Sequence, residues 1–89
     1  MSAIQIDDLG GGRYEVTVQA GRTTRHTVTC TTDMIDTYAP GTAAEDLLEA
    51  SFEFLLEREP NTAILSRFEL PVIEQYFPSY RSEILEKLS

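Results

Sequence analysis

Few residues in this chain are of a type that does chemistry. There is one histidine, His26, and one cysteine, Cys30. Neither has a second histidine or cysteine spaced to join it, so no metal set is expected. His26 falls on the inward side of an alternating stretch, where a lone histidine is usually half-buried and hydrogen-bonded. Cys30 closes the same stretch and reads as a small hydrophobe. Gly10-Gly11-Gly12 has the composition of a phosphate cradle, but that use needs a helix N-terminus behind it. A strand follows instead, so the glycines read as a hairpin loop. Tyr76, Tyr80 and Arg81, or Arg58 with Glu59, can be assembled on paper into an acid–base group, which would make the chain a small enzyme with a carboxylate/Tyr site. Nothing in their spacing requires it. No catalytic residue, metal ligand or cofactor-binding residue is therefore assigned, and no cofactor is expected.

The carboxylates are more organised. In TAAEDLLEASFEFLLERE, Thr42 to Glu59, a turn of about 100° per residue places Glu45, Asp46, Glu49, Glu53 and Glu57 together, without a lysine or arginine among them. Glu45, Glu49, Glu53 and Glu57 follow one another at i, i+4 over roughly 18 Å of helix. Each like-charge pair costs a few tenths of a kcal/mol. Such a line is either a solvated face or a docking surface for a basic partner; neither use is catalytic.

The helix that carries them has clear signals. Pro40-Gly41 interrupts the preceding segment, and Thr42 with Glu45 has the spacing of a capping box. Pro60 lacks an amide proton and ends the run. Phe54, Leu47, Ser51, Ala44, Leu55, Leu48, Phe52 and Leu56 fill more than half the circumference, so the helix is expected to be covered from two directions.

Before it, Ala3–Asp8, Arg13–Gln19 and Thr23–Thr31 alternate in polarity and read as a three-stranded antiparallel meander. Its inner face is Ile4, Ile6, Tyr14, Val16, Val18, Val28 and Cys30. For Val16 and Val18 to oppose the His26/Val28 set, the loop at Gly21 must hold an odd number of residues or a bulge, as a three-residue loop with a bulge beside Gly21 would. Residues 32–38 read as one or two helical turns. After Pro60, Asn61-Thr62 caps a short turn carrying Ala63, Ile64, Leu65 and Phe68. Pro71 opens a short helix striped by Val72, Ile73, Tyr76 and Phe77. Ser79 caps a last helix whose apolar positions are Tyr80, Ile84, Leu85 and Leu88. Tyr76, Phe77 and Tyr80 are alternatively a dimer patch, since aromatics concentrate at interfaces.

Eighty-nine residues make one domain, and a chain of this size buries only about 60–65% of its surface on folding. With 15 acidic against 7 basic residues the formal charge is −8. That opposes direct binding of nucleic acid or of anionic membranes and favours a basic protein partner. One cysteine cannot form an internal disulfide, no signal-peptide pattern opens the chain, and no apolar stretch approaches the ~20 residues of a membrane span, so a cytoplasmic location is expected.

Two resemblances bear on this reading. The segment LLEREPNTAILSRFELPVIEQYFPSYRSEI is similar to short bacterial hypothetical proteins with an LLEREP segment and a VIxxYFPxY segment, a family that implies no activity. The succession GGRYEVTV, HTVTC and TAAEDLLEASFEFLLE resembles the sheet-then-helix core of HicB-type antitoxins, which neutralise small basic RNA-cleaving toxins. The chain departs from that family in lacking its Pro-Gly-Cys segment before the helix and a DNA-binding C-terminal domain. The expected fold is α+β: a three-stranded antiparallel meander packed by one long helix over 42–59, followed by short C-terminal helices. The expected function is a non-enzymatic protein–protein interaction module, acting as a monomer or homodimer.

Overall fold

The computed structural model describes residues 3–88. Strict alternation of polar and apolar residues yields three antiparallel strands, β1 (Ile4–Gly10), β2 (Arg13–Ala20) and β3 (Arg22–Thr29). Val16 stands opposite His26 and Tyr14 opposite Val28, so the apolar sets share one face. The parity requirement is met at Gly21. It takes φ +78° between the paired residues Ala20 and Arg22, which leaves a loop of one residue and an unbroken register where three residues and a bulge were expected. At the other hairpin the register slips between Asp8 and Gly10, where the Gly10 amide donates to Asp8 Oδ1 at 2.7 Å.

The rest of the chain follows as α1 (Thr32–Tyr38), α2 (Ala44–Leu56), a 3-10 turn (Asn61–Ala63), β4 (Arg67–Glu69), α3 (Val72–Tyr76) and α4 (Tyr80–Leu88). β4 corrects the expectation of helical structure around Phe68. It pairs in parallel with β3, Val28 against Phe68, and gives a mixed four-stranded sheet in the order β1-β2-β3-β4. The ladder continues through Thr27 N–H to Ser66 O at 2.8 Å and Leu70 N–H to Thr29 O at 3.0 Å. Three residues are too few for alternation to register. What places them is the unpaired edge of β3 and the burial of Phe68, reached by the crossover through α1 and α2 that parallel pairing requires.

Two details of the long helix also differ from expectation. The capping box does not form: the N-cap is Ala43, without a side-chain bond. The Thr42 amide instead donates to Ala39 O at 3.1 Å, closing the Pro40-Gly41 turn, so Thr42 is spent one residue too early to cap. The helix ends at Leu56 rather than Glu59, because the amides of Arg58 and Glu59 both converge on Leu55 O in a tightened last turn ahead of Pro60. α1, by contrast, is capped, by Thr31 Oγ1 accepting from the Met34 amide at 3.3 Å.

α2 lies between two covers. Ala44, Leu47, Leu48, Ala50, Ser51, Phe52, Phe54 and Leu55 are all buried. The sheet contributes Val16, Val18, Val28 and Phe68 to the same core, and the C-terminal part contributes Leu70, Ile73, Tyr80 and Ile84. Ser51 is the contact point with the second cover. Its hydroxyl donates to Leu47 O at 2.7 Å and, having one proton, accepts from Tyr80 O–H at 2.7 Å. Tyr80 packs edge-on to Phe54, with centroids 5.3 Å apart, and against Tyr38 at 5.2 Å.

Ion pairs fasten the helices at the surface. Arg58 lies 3.7 Å over the Phe54 ring, and its Nη2 donates to both carboxylate oxygens of Glu83 at 2.7 and 2.8 Å, joining the end of α2 to α4. Glu74 of α3 accepts from Tyr38 O–H at 2.9 Å and from Arg81 at 2.9 and 3.2 Å, joining α1, α3 and α4.

The Ser51–Tyr80 bond gives an unequal mutant pair. Ser51→Ala leaves the buried Tyr80 hydroxyl without an acceptor and is expected to cost about 1–3 kcal/mol, against about 1 kcal/mol for Tyr80→Phe. The double variant should recover part of the Ser51→Ala loss in urea melts. A neutral Ser51→Ala would contradict the bond.

Candidate functional site

Every exposed α2 side chain is a carboxylate: Glu45, Asp46, Glu49 and Glu53. The structure brings three of these together. Asp46, Glu49 and Glu53 line a groove of about 460 Å³ between α2 and the end of α4, with Ala50 and Leu88 between the walls and Lys87 opposite. None of the three carboxylates has a hydrogen bond or ion pair among the described residues.

The other two members of the sequence-derived stripe leave it. Glu45 does not line the groove; it lies close enough to Tyr14 and Cys30 for its charge to raise both their pKa values, behind the larger effect of burial. Glu57 is already neutralised. Lys87 Nζ meets it at 2.9 Å and Arg58 at 3.4 Å, and the bond from Lys87 is the main cause that lowers its carboxyl pKa. Sequence periodicity could place the acidic residues on one arc, but it could not show that a lysine thirty positions on closes the far end of that arc.

The paper acid–base groups do not assemble. Tyr80 is fully buried and committed to Ser51, Arg81 to Glu74, and Arg58 to Glu83. Burial raises the Tyr80 phenol far above its usual 10.0. Tyr80 is therefore no part of a surface dimer patch; Tyr76 is 66% exposed and Phe77 half-buried, so the three aromatics point to different environments. Leu85, expected on the packed side of the last helix, is 48% exposed.

His26 is 2% exposed and its ring is fully used. Nδ1 lies 2.7 Å from Leu65 O, which can only accept, so Nδ1 carries the proton. Nε2 lies 2.8 Å from Thr24 Oγ1, and that hydroxyl accepts from Asn61 Nδ2 at 3.0 Å, leaving its own proton for Nε2. Asn61 Nδ2 also donates to Arg22 O at 2.8 Å. The histidine is thus a buried clamp between β3 and the segment leading to β4. Among the described residues no three His, Cys, Asp or Glu side chains gather as a metal site, and no helix is long and apolar enough to cross a membrane.

No protein-family model, curated protein or solved structure matches this chain. What the candidate site does rests on its own geometry: an acidic groove in which Asp46, Glu49 and Glu53 are unpaired and the lining cation, Lys87, is bonded to Glu57.

Two measurements check these assignments. Long-range ¹⁵N-edited spectra of the neutral His26 ring are expected to show the Nδ1–H form; an Nε2–H ring would overturn the clamp. The Cys30 thiol, pushed up to about 11 by burial and then by Glu45, is expected to react with disulfide reagents only through unfolding. Its stabilising contribution is full below the unfolded value of 9.0 and lost as pH rises toward 11, with Tyr38 and Tyr80 shifted in the same sense. On the acid side Glu57, Glu74 and Glu83, all held below 4.5, lose their contributions as pH falls beneath that value. Thermal melts across pH should therefore fall away at both ends.

Proposed function

We propose that this chain is a non-enzymatic binding module that receives a basic protein partner along the α2–α4 groove. The observation that carries the reading is the state of Asp46, Glu49 and Glu53: three exposed carboxylates on one groove, none paired, in a molecule of net charge −8. Among the described residues the cations of the helical layer are bonded to other carboxylates, Arg58 to Glu83 and Glu57, Arg81 to Glu74, and Lys87 to Glu57. An arriving lysine- or arginine-rich surface would meet carboxylates with no internal bond to break. Electrostatic attraction of this kind speeds encounter and sets orientation more than it sets affinity.

The order of sheet then helix is compatible with the HicB-type resemblance, and a small basic RNA-cleaving toxin is one partner of suitable charge. A short basic reading frame beside this gene would support that narrower form; a neighbourhood without one would count against it. The buried, unpaired thiol suits the cytoplasm.

The combined variant Asp46→Asn, Glu49→Gln and Glu53→Gln tests the reading. It is expected to fold with stability unchanged or raised by a few tenths of a kcal/mol per relieved repulsion. Capture of basic proteins from the native host should fall, and wild-type capture should weaken with salt. Equal capture by the two proteins returns the groove to a solvated face. Glu57→Gln, which loses the Lys87 bond, is expected to be neutral to mildly destabilising instead.

A further inference from the structure

A second concavity lies on the far side of α2, where the 3-10 turn, β4 and α3 meet. It is a dimple of about 30 Å³ walled by Leu55, Ile64, Leu65, Val72, Tyr76 and Phe77. Two of the four large apolar side chains most exposed in the structure belong to it, Leu65 at 47% and Tyr76 at 66%. Packing does not account for leaving them in water beside an apolar hollow. The single charged lining residue is Glu59, half-buried and without a side-chain hydrogen bond or ion pair among the described residues. Glu74 of α3, by contrast, is bonded to Arg81 and lies outside the hollow.

We propose that this groove binds a protein segment that inserts one bulky apolar side chain between Leu65 and Tyr76 and places an adjacent arginine or lysine against Glu59. The size of the hollow decides the first half. Cofactor and drug-like pockets run to about 300–1,000 Å³, whereas this one takes the tip of a single side chain, with Tyr76 and Leu65 folding over it as aromatic and aliphatic walls of an anchor site. The charge decides the second half. A carboxylate half out of water beside an apolar surface is desolvated further when that surface is covered, and a cationic donor in the covering segment offsets the loss most fully. A second copy of this chain fits less well, since it would bring two molecules of charge −8 together over a groove that itself holds no cation. An anionic membrane is opposed by the same charge.

The site is separate from the acidic groove and stands or falls independently of it. The test is an NMR titration of the full chain with four synthetic serine–glycine peptides that carry, in the middle, Phe-Arg, Phe-Glu, Ala-Arg or Ala-Glu. The Phe-Arg peptide is expected to shift the methyl signals of Leu55, Leu65 and Val72 and to bind more tightly than the other three. Glu59→Gln should weaken it about two- to fivefold, the range of a partly exposed ion pair, and remove the preference over Phe-Glu. Tyr76→Ala should weaken it more than about tenfold, as truncation of an aromatic anchor does, with an unchanged urea midpoint because the ring is exposed. Equal binding of Phe-Arg and Phe-Glu to the wild type would overturn the assignment of the cation. Equal binding of Ala-Arg, or shifts confined to Asp46, Glu49 and Glu53, would overturn the groove as the site, as would the absence of any shift at millimolar peptide. Sedimentation of the wild type as a dimer that Tyr76→Ala converts to monomer would assign the groove to a second copy and sink the proposal.

Discussion

One short rod of backbone has to be hidden on most of its girth, and the rest of the molecule follows from that requirement. α2 carries eight buried side chains in thirteen residues, more than a single sheet can cover. The four strands supply one cover, and the chain after Pro60 has to return and supply the other. Ser51 makes the return tight: a small side chain at the closest approach, with its hydroxyl bridging the helix backbone and the buried Tyr80 phenol. A larger residue there would hold α4 away, and a residue without a hydroxyl would leave the phenol unmet.

The two covers also decide where function can reside. Once they are in place, only a narrow strip of α2 reaches solvent, and its open residues are all acidic. The far end of the strip is closed by Lys87 and Arg58, so the free charge concentrates at Asp46, Glu49 and Glu53 rather than along the full line. On the opposite side of α2 the second cover stops short. Leu65 and Tyr76 stay uncovered over a small hollow between the 3-10 turn and α3. The charged groove and the apolar hollow are consequences of the same packing problem, solved fully along the middle of the helix and only partly at its margins.

Period was legible in the sequence; endpoint and partner were not. Alternation gave the meander and even the parity of the Gly21 turn, since a one-residue slip would have exposed Val16 and Val18. The helical period located α2 and its buried arc, Ala50 excepted: it lies among the carboxylates on the wheel but is covered in the fold. The capping box failed because the Pro40-Gly41 turn claimed the Thr42 amide first, a competition between two local motifs that spacing alone does not rank. β4 was missed because three residues carry no period and their strand character comes from the open edge of β3. In the site, the acidic arc was readable, whereas the loss of Glu57 to Lys87, the turning of Glu45 toward Tyr14, and the burial of Tyr80 all depend on residues distant in sequence.

The central claim is that α2 and its two covers form one cooperative unit, so that the exposed carboxylate strip is a fixed surface rather than a fluctuating one. Native-state amide hydrogen exchange reads this directly. The account predicts that amides of Leu48–Leu55 in α2, Val16–Val18 in β2, Val28 in β3 and Ile84 in α4 exchange with a common free energy equal to that of global unfolding. If the amides of α3 and α4 instead exchange well before those of α2 and the sheet, the second cover is a loosely held flap, and the account built on a doubly clad helix is wrong.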